Sequence, residues 1–106
     1  MARLISIYWR DIPAQVIGQH GRMRIKRALA PRFARAIDRA AMRAGRGSSD
    51  AYLADWRRES EEVTGDLEWL VAERAAALES RFPDEVLEAV TKAGGRIGDA
   101  REPATE

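Results

Sequence analysis

Residues 7–16 of this chain read IYWRDIPAQV, and the stretch places two aromatic residues, a charge pair and a proline between two apolar runs. Residues 3–10 alternate with the two-residue period of a β-strand and are rich in β-branched and aromatic types, so we predict a strand there. One face of this strand is strongly apolar and carries Ile5, Ile7 and Trp9. The other face is mixed and carries Leu4, Ser6, Tyr8 and Arg10. A second short strand is predicted over residues 14–19, and Asp11-Ile12-Pro13 is the predicted turn of a β-hairpin. Proline has no amide hydrogen to donate to a sheet, and aspartate accepts hydrogen bonds from nearby amides.

Downstream of the hairpin the sequence predicts helices. The clearest cases have apolar residues recurring at spacings of three and four, with proline at a first turn or glycine after the last one. The predicted segments are 22–29, where a helix begins, then 31–45, 51–60, 67–82 and 83–93. In the last of these we expect Val86, Leu87 and Val90 to be buried, and Gly94-Gly95 to end the helix.

These elements predict one α+β domain over residues 1–95. It has an N-terminal β-hairpin or small antiparallel sheet packed against three to four helices. The chain of 106 residues has the length of one domain and supports a core of modest size. Residues 96–106 have almost no apolar content, so we predict a disordered C-terminal tail.

The charges are divided unequally along the chain. Residues 1–47 hold 11 Lys and Arg against 2 Asp, a net charge of +9, whereas residues 48–106 carry −8. Two interpretations remain open at this point. Either the two halves face each other and neutralise within one domain, or the basic half binds an acidic protein or a nucleic acid.

The residue types present exclude several chemistries. Without cysteine the chain forms no disulfide, thiolate metal site or cysteine nucleophile. His20 is the single histidine, and no HExxH, Walker A or EF-hand spacing occurs. We therefore predict no catalytic residue, no metal, no cofactor and no enzymatic activity. No stretch approaches about 18 consecutive apolar residues, the length of a membrane span, and we expect a cytoplasmic protein that binds no membrane.

A set of aromatic, polar and basic residues forms the candidate partner-binding site. Aromatic and arginine side chains are enriched at the centres of protein interfaces. Tyr8 and Trp9 point to opposite faces of a regular strand, so one packs inward while the other is available to a partner. The candidates are Tyr8, Trp9, Arg10, Asp11, Gln15, Arg24, Lys26 and Arg27.

Three segments carry a resemblance to a known family. They are IYWRDIPAQVIGQ at 7–19, AIDRAAMRAG at 36–45 and DAYLADWRRE at 50–59, with weaker similarity near 87–95. With these segments the chain resembles the small bacterial virulence-factor domain family. That family name records a phenotype of larger proteins, which carry a similar domain beside helical repeats, and it transfers no catalytic residue. Short stand-alone members occur beside corrinoid and tetrahydrofolate methyl-transfer components, so the resemblance implies an accessory role in one-carbon or methionine metabolism.

Three functions follow as hypotheses. The leading one is a non-enzymatic interaction module that binds an acidic protein through the hairpin edge and the basic segment 22–43. An alternative is an accessory subunit of a corrinoid or tetrahydrofolate methyl-transfer system, with a methyltransferase or corrinoid protein as partner. The other is a nucleic-acid binder that uses the basic N-terminal half.

Overall fold

Four antiparallel strands and the helices packed on them form the molecule, and this confirms the predicted α+β class. The computed structural model describes residues 1–46 and 48–100. The elements are β1 (Ala2–Trp9), β2 (Ile12–His20), β3 (Met23–Ala28), α1 (Pro31–Arg43), α2 (Ser49–Ala54), β4 (Trp56–Val63), α3 (Leu67–Arg81), α4 (Asp84–Lys92) and α5 (Ile97–Ala100). The strand order across the sheet is β3-β2-β1-β4. Among the described residues, no helix has the length and apolarity needed to cross a membrane.

The predicted hairpin is present, with its turn placed earlier than expected. Trp9 pairs with Ile12, so Arg10 and Asp11 alone connect the two strands. Pro13 lies inside β2, opposite Tyr8, where the register shifts by one residue. The proline is accommodated there because β3 pairs with β2 only from Gln15 onward, which leaves this part of β2 with a single neighbour.

One helix prediction was wrong, because segment 22–29 contains a strand, and the helix predicted over 51–60 is right only in its first part. Segment 22–29 contains β3, which pairs with β2 so that Ile25 lies opposite Gly18. Segment 51–60 is helical only to Ala54, and the strand that begins at Trp56 pairs with the free edge of β1. Arg, Lys, Glu and Ala suit a helix locally, but pairing with the preceding strand β2 in the first case, and with the distant strand β1 in the second, overrode that preference.

Three predicted helices are confirmed, and they enclose the core. α3 lies across β2 and β3, and α1 and α4 pack against each other beside the Trp9 end of the sheet. The apolar stripe of α1 is buried, and Pro31 begins that helix. Leu87 and Val90 of α4 are buried as predicted, whereas Val86 is 40% exposed.

The predicted disordered tail, residues 96–106, is described only in part. Ile97–Ala100 form one helical turn, and residues 101–106 lie outside the described residues.

Gly18 is required where α3 lies closest to the sheet. A Cβ atom built on Gly18 would lie 2.6 Å from Val71 Cγ2 and 2.9 Å from Leu67 Cδ1. Both neighbours are buried, so neither can move away freely. The absence of a side chain at Gly18 therefore determines how closely α3 packs against β2.

We expect Gly18→Ala to lower the free energy of unfolding by about 1–3 kcal/mol, because the extra methyl group overpacks the contact with α3. Urea denaturation measures this. Gly98→Ala is the matched control, since nothing lies within 4 Å of a Cβ at that position. Equal urea midpoints for Gly18→Ala and Gly98→Ala would contradict the close approach of α3 to Gly18.

Candidate functional site

The turn Arg10-Asp11 is the most constrained part of the backbone. Arg10 has φ of 54°, the left-handed region, which among the described residues no other non-glycine residue adopts. Two backbone hydrogen bonds hold it there: Arg10 N donates to Asp55 O at 3.0 Å, and Asp11 N donates to Gly95 O at 2.8 Å. A residue in this conformation costs about 1–3 kcal/mol, so the contacts around it must compensate.

The Arg10 side chain is bound within the protein. Its Nε donates to Asp55 Oδ2 at 3.1 Å, and its Nη1 donates to Gly94 O at 3.0 Å. Arg46 Nε donates to the same Asp55 oxygen at 2.9 Å. The Arg10 and Asp55 side chains are only 13% and 14% exposed. One carboxylate therefore binds two guanidinium groups in a place largely shielded from water.

Asp11 extends these contacts to β4 and α5. Its Oδ2 accepts from Ile97 N at 2.7 Å, and its Oδ1 accepts from Arg57 Nη2 at 3.3 Å. Arg57 Nε also donates to Arg10 O at 2.7 Å. The charge pair of the IYWRDIPAQV stretch is thus the point where the hairpin joins the α2–β4 junction and the segment after α4. We call the side chains of Arg10, Asp11, Arg46, Asp55 and Arg57 the turn cluster.

Trp9 lies in the core beside the turn cluster. It is fully buried, its Nε1 donates to Tyr52 O at 2.8 Å, and its ring stacks on Tyr52 with centroids 5.9 Å apart. Gly95 packs directly on the indole, because a Cβ there would lie 3.0 Å from the ring. Of the two adjacent aromatic residues, Trp9 is therefore the one that packs inward.

Electrostatics keep Asp55 ionised. Burial by itself raises the pKa of the Asp55 carboxyl, but hydrogen bonds from Arg46 and Arg10, together with their positive charges, outweigh it and hold the pKa below its usual range. Asp55 is therefore ionised near neutral pH, and both of its ion pairs are present there.

Tyr8 lies on the opposite face of β1 and is half-buried. The Arg57 guanidinium lies 4.4 Å from the centroid of the phenol ring. Burial, with a smaller effect of Glu59, raises the pKa of the Tyr8 hydroxyl. The residue lines a cleft of about 680 Å³ between the sheet and the C-terminal end of α3 with α4.

The other sequence-predicted site residues lie along β3 and its neighbour, away from the turn. Arg24 and Lys26 pair across the sheet with Gln19 and Ile17, on the face opposite α3. Gln15 lies on that same face and is half-buried, whereas Arg27 points to the α3 side. The three basic residues are exposed. The structure therefore divides the eight candidates into a turn group and a strand group.

The two oppositely charged halves neutralise each other only in part. Five ion pairs join residues 1–46 to residues 48–100: Arg10–Asp55, Arg46–Asp55, Arg57–Asp11, Arg32–Asp84 and Arg39–Glu88. Within those described ranges Arg24, Lys26 and Arg27 form no ion pair. All three basic residues of β3 are therefore among the cations that remain without an ion pair in the described ranges.

Asp55, Arg46 and Arg57 belong to the turn cluster but are not among the residues predicted from the sequence. No local pattern marks them, because Asp55 and Arg57 bind Arg10 from 45 and 47 residues away in the chain, and Arg46 acts only through Asp55. The Gly94-Gly95 pair is visible in the sequence, where it predicts the end of a helix, and in the structure it also packs against Trp9 and Arg10. Among the described residues, no three His, Asp or Glu side chains lie close enough together to hold a metal ion.

A comparison with protein-family models matches residues 7–91 to the family described as virulence factor. The chain belongs to the virulence factor family. The predicted resemblance is thereby confirmed over most of the chain. No curated protein and no solved structure matches the chain.

The virulence factor match covers both candidate groups. It begins at Ile7, one residue before Tyr8, and it includes β3 and Asp55. It ends at Thr91, before the two glycines that pack on Trp9 and Arg10. The family name identifies a protein class and assigns no reaction.

We expect Asp55→Asn to lower the free energy of unfolding by about 2 kcal/mol at pH 7, because the largely buried Arg10 guanidinium and the more exposed Arg46 guanidinium both lose their anionic partner. The pKa of Asp55 in the folded protein lies below its unfolded value of about 3.9. The difference in free energy of unfolding between wild type and variant is therefore fully present above about pH 3.9, and it is lost as the pH falls through the folded pKa. Urea denaturation of both proteins between pH 7 and pH 3 measures this.

Asp66→Asn is the control, since Asp66 caps α3 through one backbone amide and asparagine caps a helix equally well. A destabilisation of Asp55→Asn that stays constant down to pH 3 would contradict the ion-pair interpretation.

Proposed function

We propose that this virulence factor family member is a non-enzymatic interaction module that binds an acidic protein partner along β3. The observation that carries this proposal is the position of the unneutralised cations. Arg24, Lys26 and Arg27 lie on an edge strand, exposed, and unpaired within the part of the chain that the structure describes.

The backbone of β3 supports binding by strand addition. β3 is an end strand of the sheet and hydrogen-bonds to β2 on one side only. Its outer N–H and C=O groups therefore face away from the sheet along six residues, Met23–Ala28. An extended partner segment can pair with these groups, and side-chain contacts at alternate positions then supply specificity.

The side chains of β3 favour an acidic segment. Arg24 and Lys26 lie on one face of the sheet and Arg27 on the other, so acidic residues on both sides of an added strand find a cation. Each exposed pair adds at most about 1 kcal/mol. Their joint effect is a faster association and strong dependence on salt, because exposed charges are screened within about 8–10 Å at physiological ionic strength.

The turn cluster has a supporting role in this proposal. Trp9 and Arg10 are committed to contacts within the domain, so they hold the hairpin in place and leave β3 as the contact surface. The proposed contact surface is therefore β3, and the aromatic and charged residues of the IYWRDIPAQV stretch support it from within the domain.

The test is affinity purification of tagged protein from its native cells, with and without nuclease treatment and at low and moderate salt, followed by quantitative mass spectrometry. Wild type is compared with the double variant Arg24→Glu/Lys26→Glu and with the control Arg35→Glu/Arg43→Glu. The control reverses two exposed α1 cations that form no ion pair among the described residues. We expect a set of proteins lost at least tenfold with the β3 variant and retained with the control.

Three other results have defined meanings. Equal capture by all three proteins would contradict β3 as the contact surface. Capture that disappears on nuclease treatment would favour the nucleic-acid hypothesis instead. A methyltransferase or corrinoid protein among the proteins lost with the β3 variant would identify the partner and support the accessory role that the family resemblance implies.

A further inference from the structure

The cleft beside Tyr8 has the size and lining of a small-molecule site. Its volume of about 680 Å³ lies within the range typical of small-ligand pockets, about 300–1,000 Å³. Leu78, Phe82 and Val90 form a buried apolar floor. Val86 and Ile97, at 40% and 44% exposure, are two of the exposed large apolar residues of the described chain, and both line this one cleft.

Two of the acidic groups that line the cleft already have partners. Arg57 Nη1 donates to Glu59 Oε2 at 2.6 Å, and Arg57 Nη2 donates to Asp11 Oδ1 at 3.3 Å. Asp11 also accepts from the amide of Ile97. The third, Glu85, lies exposed in the first turn of α4, where the positive end of the helix dipole stabilises a carboxylate.

Two donors remain without an acceptor within the described ranges. The Tyr8 hydroxyl and the Arg81 guanidinium both line the cleft, and neither forms a hydrogen bond or ion pair with a described residue. The positive charge of Arg81 lies close enough to act on the Tyr8 hydroxyl. A phenol is protonated near neutral pH, and burial raises the pKa of Tyr8 further, so the hydroxyl is available as a hydrogen-bond donor.

We propose that this cleft binds a small-molecule carboxylic acid with an apolar body. The carboxylate accepts hydrogen bonds from Arg81 and Tyr8, and the apolar body covers Val86 and Ile97 against the floor of the cleft. Charge-assisted hydrogen bonds from arginine to carboxylate are among the stronger polar contacts. An amine of the same shape would leave Arg81 and the Tyr8 hydroxyl without an acceptor, and its partner would be Glu85, where an exposed ion pair adds little.

This site is independent of the acidic partner proposed for β3. The cleft lies at the β1–β4 side of the sheet, and β3 is the opposite edge. Loss of one function therefore leaves the other measurable.

The probe is octanoate, with octan-1-ol and octylamine as its uncharged and cationic counterparts, titrated into isotopically labelled protein and followed by amide and side-chain chemical shifts. We expect octanoate to shift resonances of Tyr8, Val86 and Ile97 in a saturable way. Octan-1-ol and octylamine are expected to bind at least about tenfold more weakly, the factor set by one charge-assisted hydrogen bond.

Two variants test the assigned donors. Arg81→Gln is expected to weaken octanoate binding about tenfold, and Tyr8→Phe, which retains the ring, about threefold. Arg35→Gln, an exposed α1 cation outside the cleft, is the control and leaves the affinity unchanged.

Three results would overturn the proposal. They are octylamine binding as tight as octanoate, shifts spread over the surface instead of the cleft, or an unchanged affinity in Arg81→Gln with its fold intact. Unfolding of a variant is monitored by its spectrum without ligand. Because the alcohol and amine comparisons use the wild-type protein, they decide the question even if both variants unfold.

Discussion

The carboxylate of Asp55, bound at once by Arg10 and Arg46, is the contact on which the arrangement of this domain depends. It holds the two-residue turn between the central strands in a conformation that arginine adopts only when its surroundings impose it. Through Gly94, Gly95 and the Arg57 guanidinium, the same turn connects the hairpin to the chain after α4 and to the first residues of β4. A strained residue is retained here because several independent contacts converge on it.

The ion pairs of the molecule also explain why its near-zero net charge conceals a charged surface. Acidic residues of the second half are matched to arginines of the turn and of α1, which lie beside them in the fold. The cations of β3 have no such neighbours, since this strand is at the opposite edge of the sheet from β4 and its glutamates. Topology therefore determines which charges remain for a partner, although it does not change their number.

The turn cluster and the Tyr8 cleft are physically coupled. Asp11 accepts from the amide of Ile97, and this bond places the Ile97 side chain at the mouth of the cleft. Arg57 binds two of the carboxylates that line the cleft and lies over the Tyr8 ring. A single arginine thereby stabilises the turn and also determines which polar groups of the cleft are left without a partner.

Local patterns were enough to predict the hairpin, the three long helices, the α+β class and the family, because the period-two and period-3.6 spacings and the YWRDIPAQV string lie within short segments of the sequence. These patterns did not reveal that MRIKRA and WRRESEEV are strands, since their charged residues suit a helix and only pairing with β2 and β1 makes them strands. The roles inside YWRD were likewise decided by tertiary structure. Trp9 bonds to Tyr52, Arg10 to Asp55, and Asp11 to Ile97. Each partner lies more than 40 residues away in the chain, so only the folded structure shows that these three residues have a structural role.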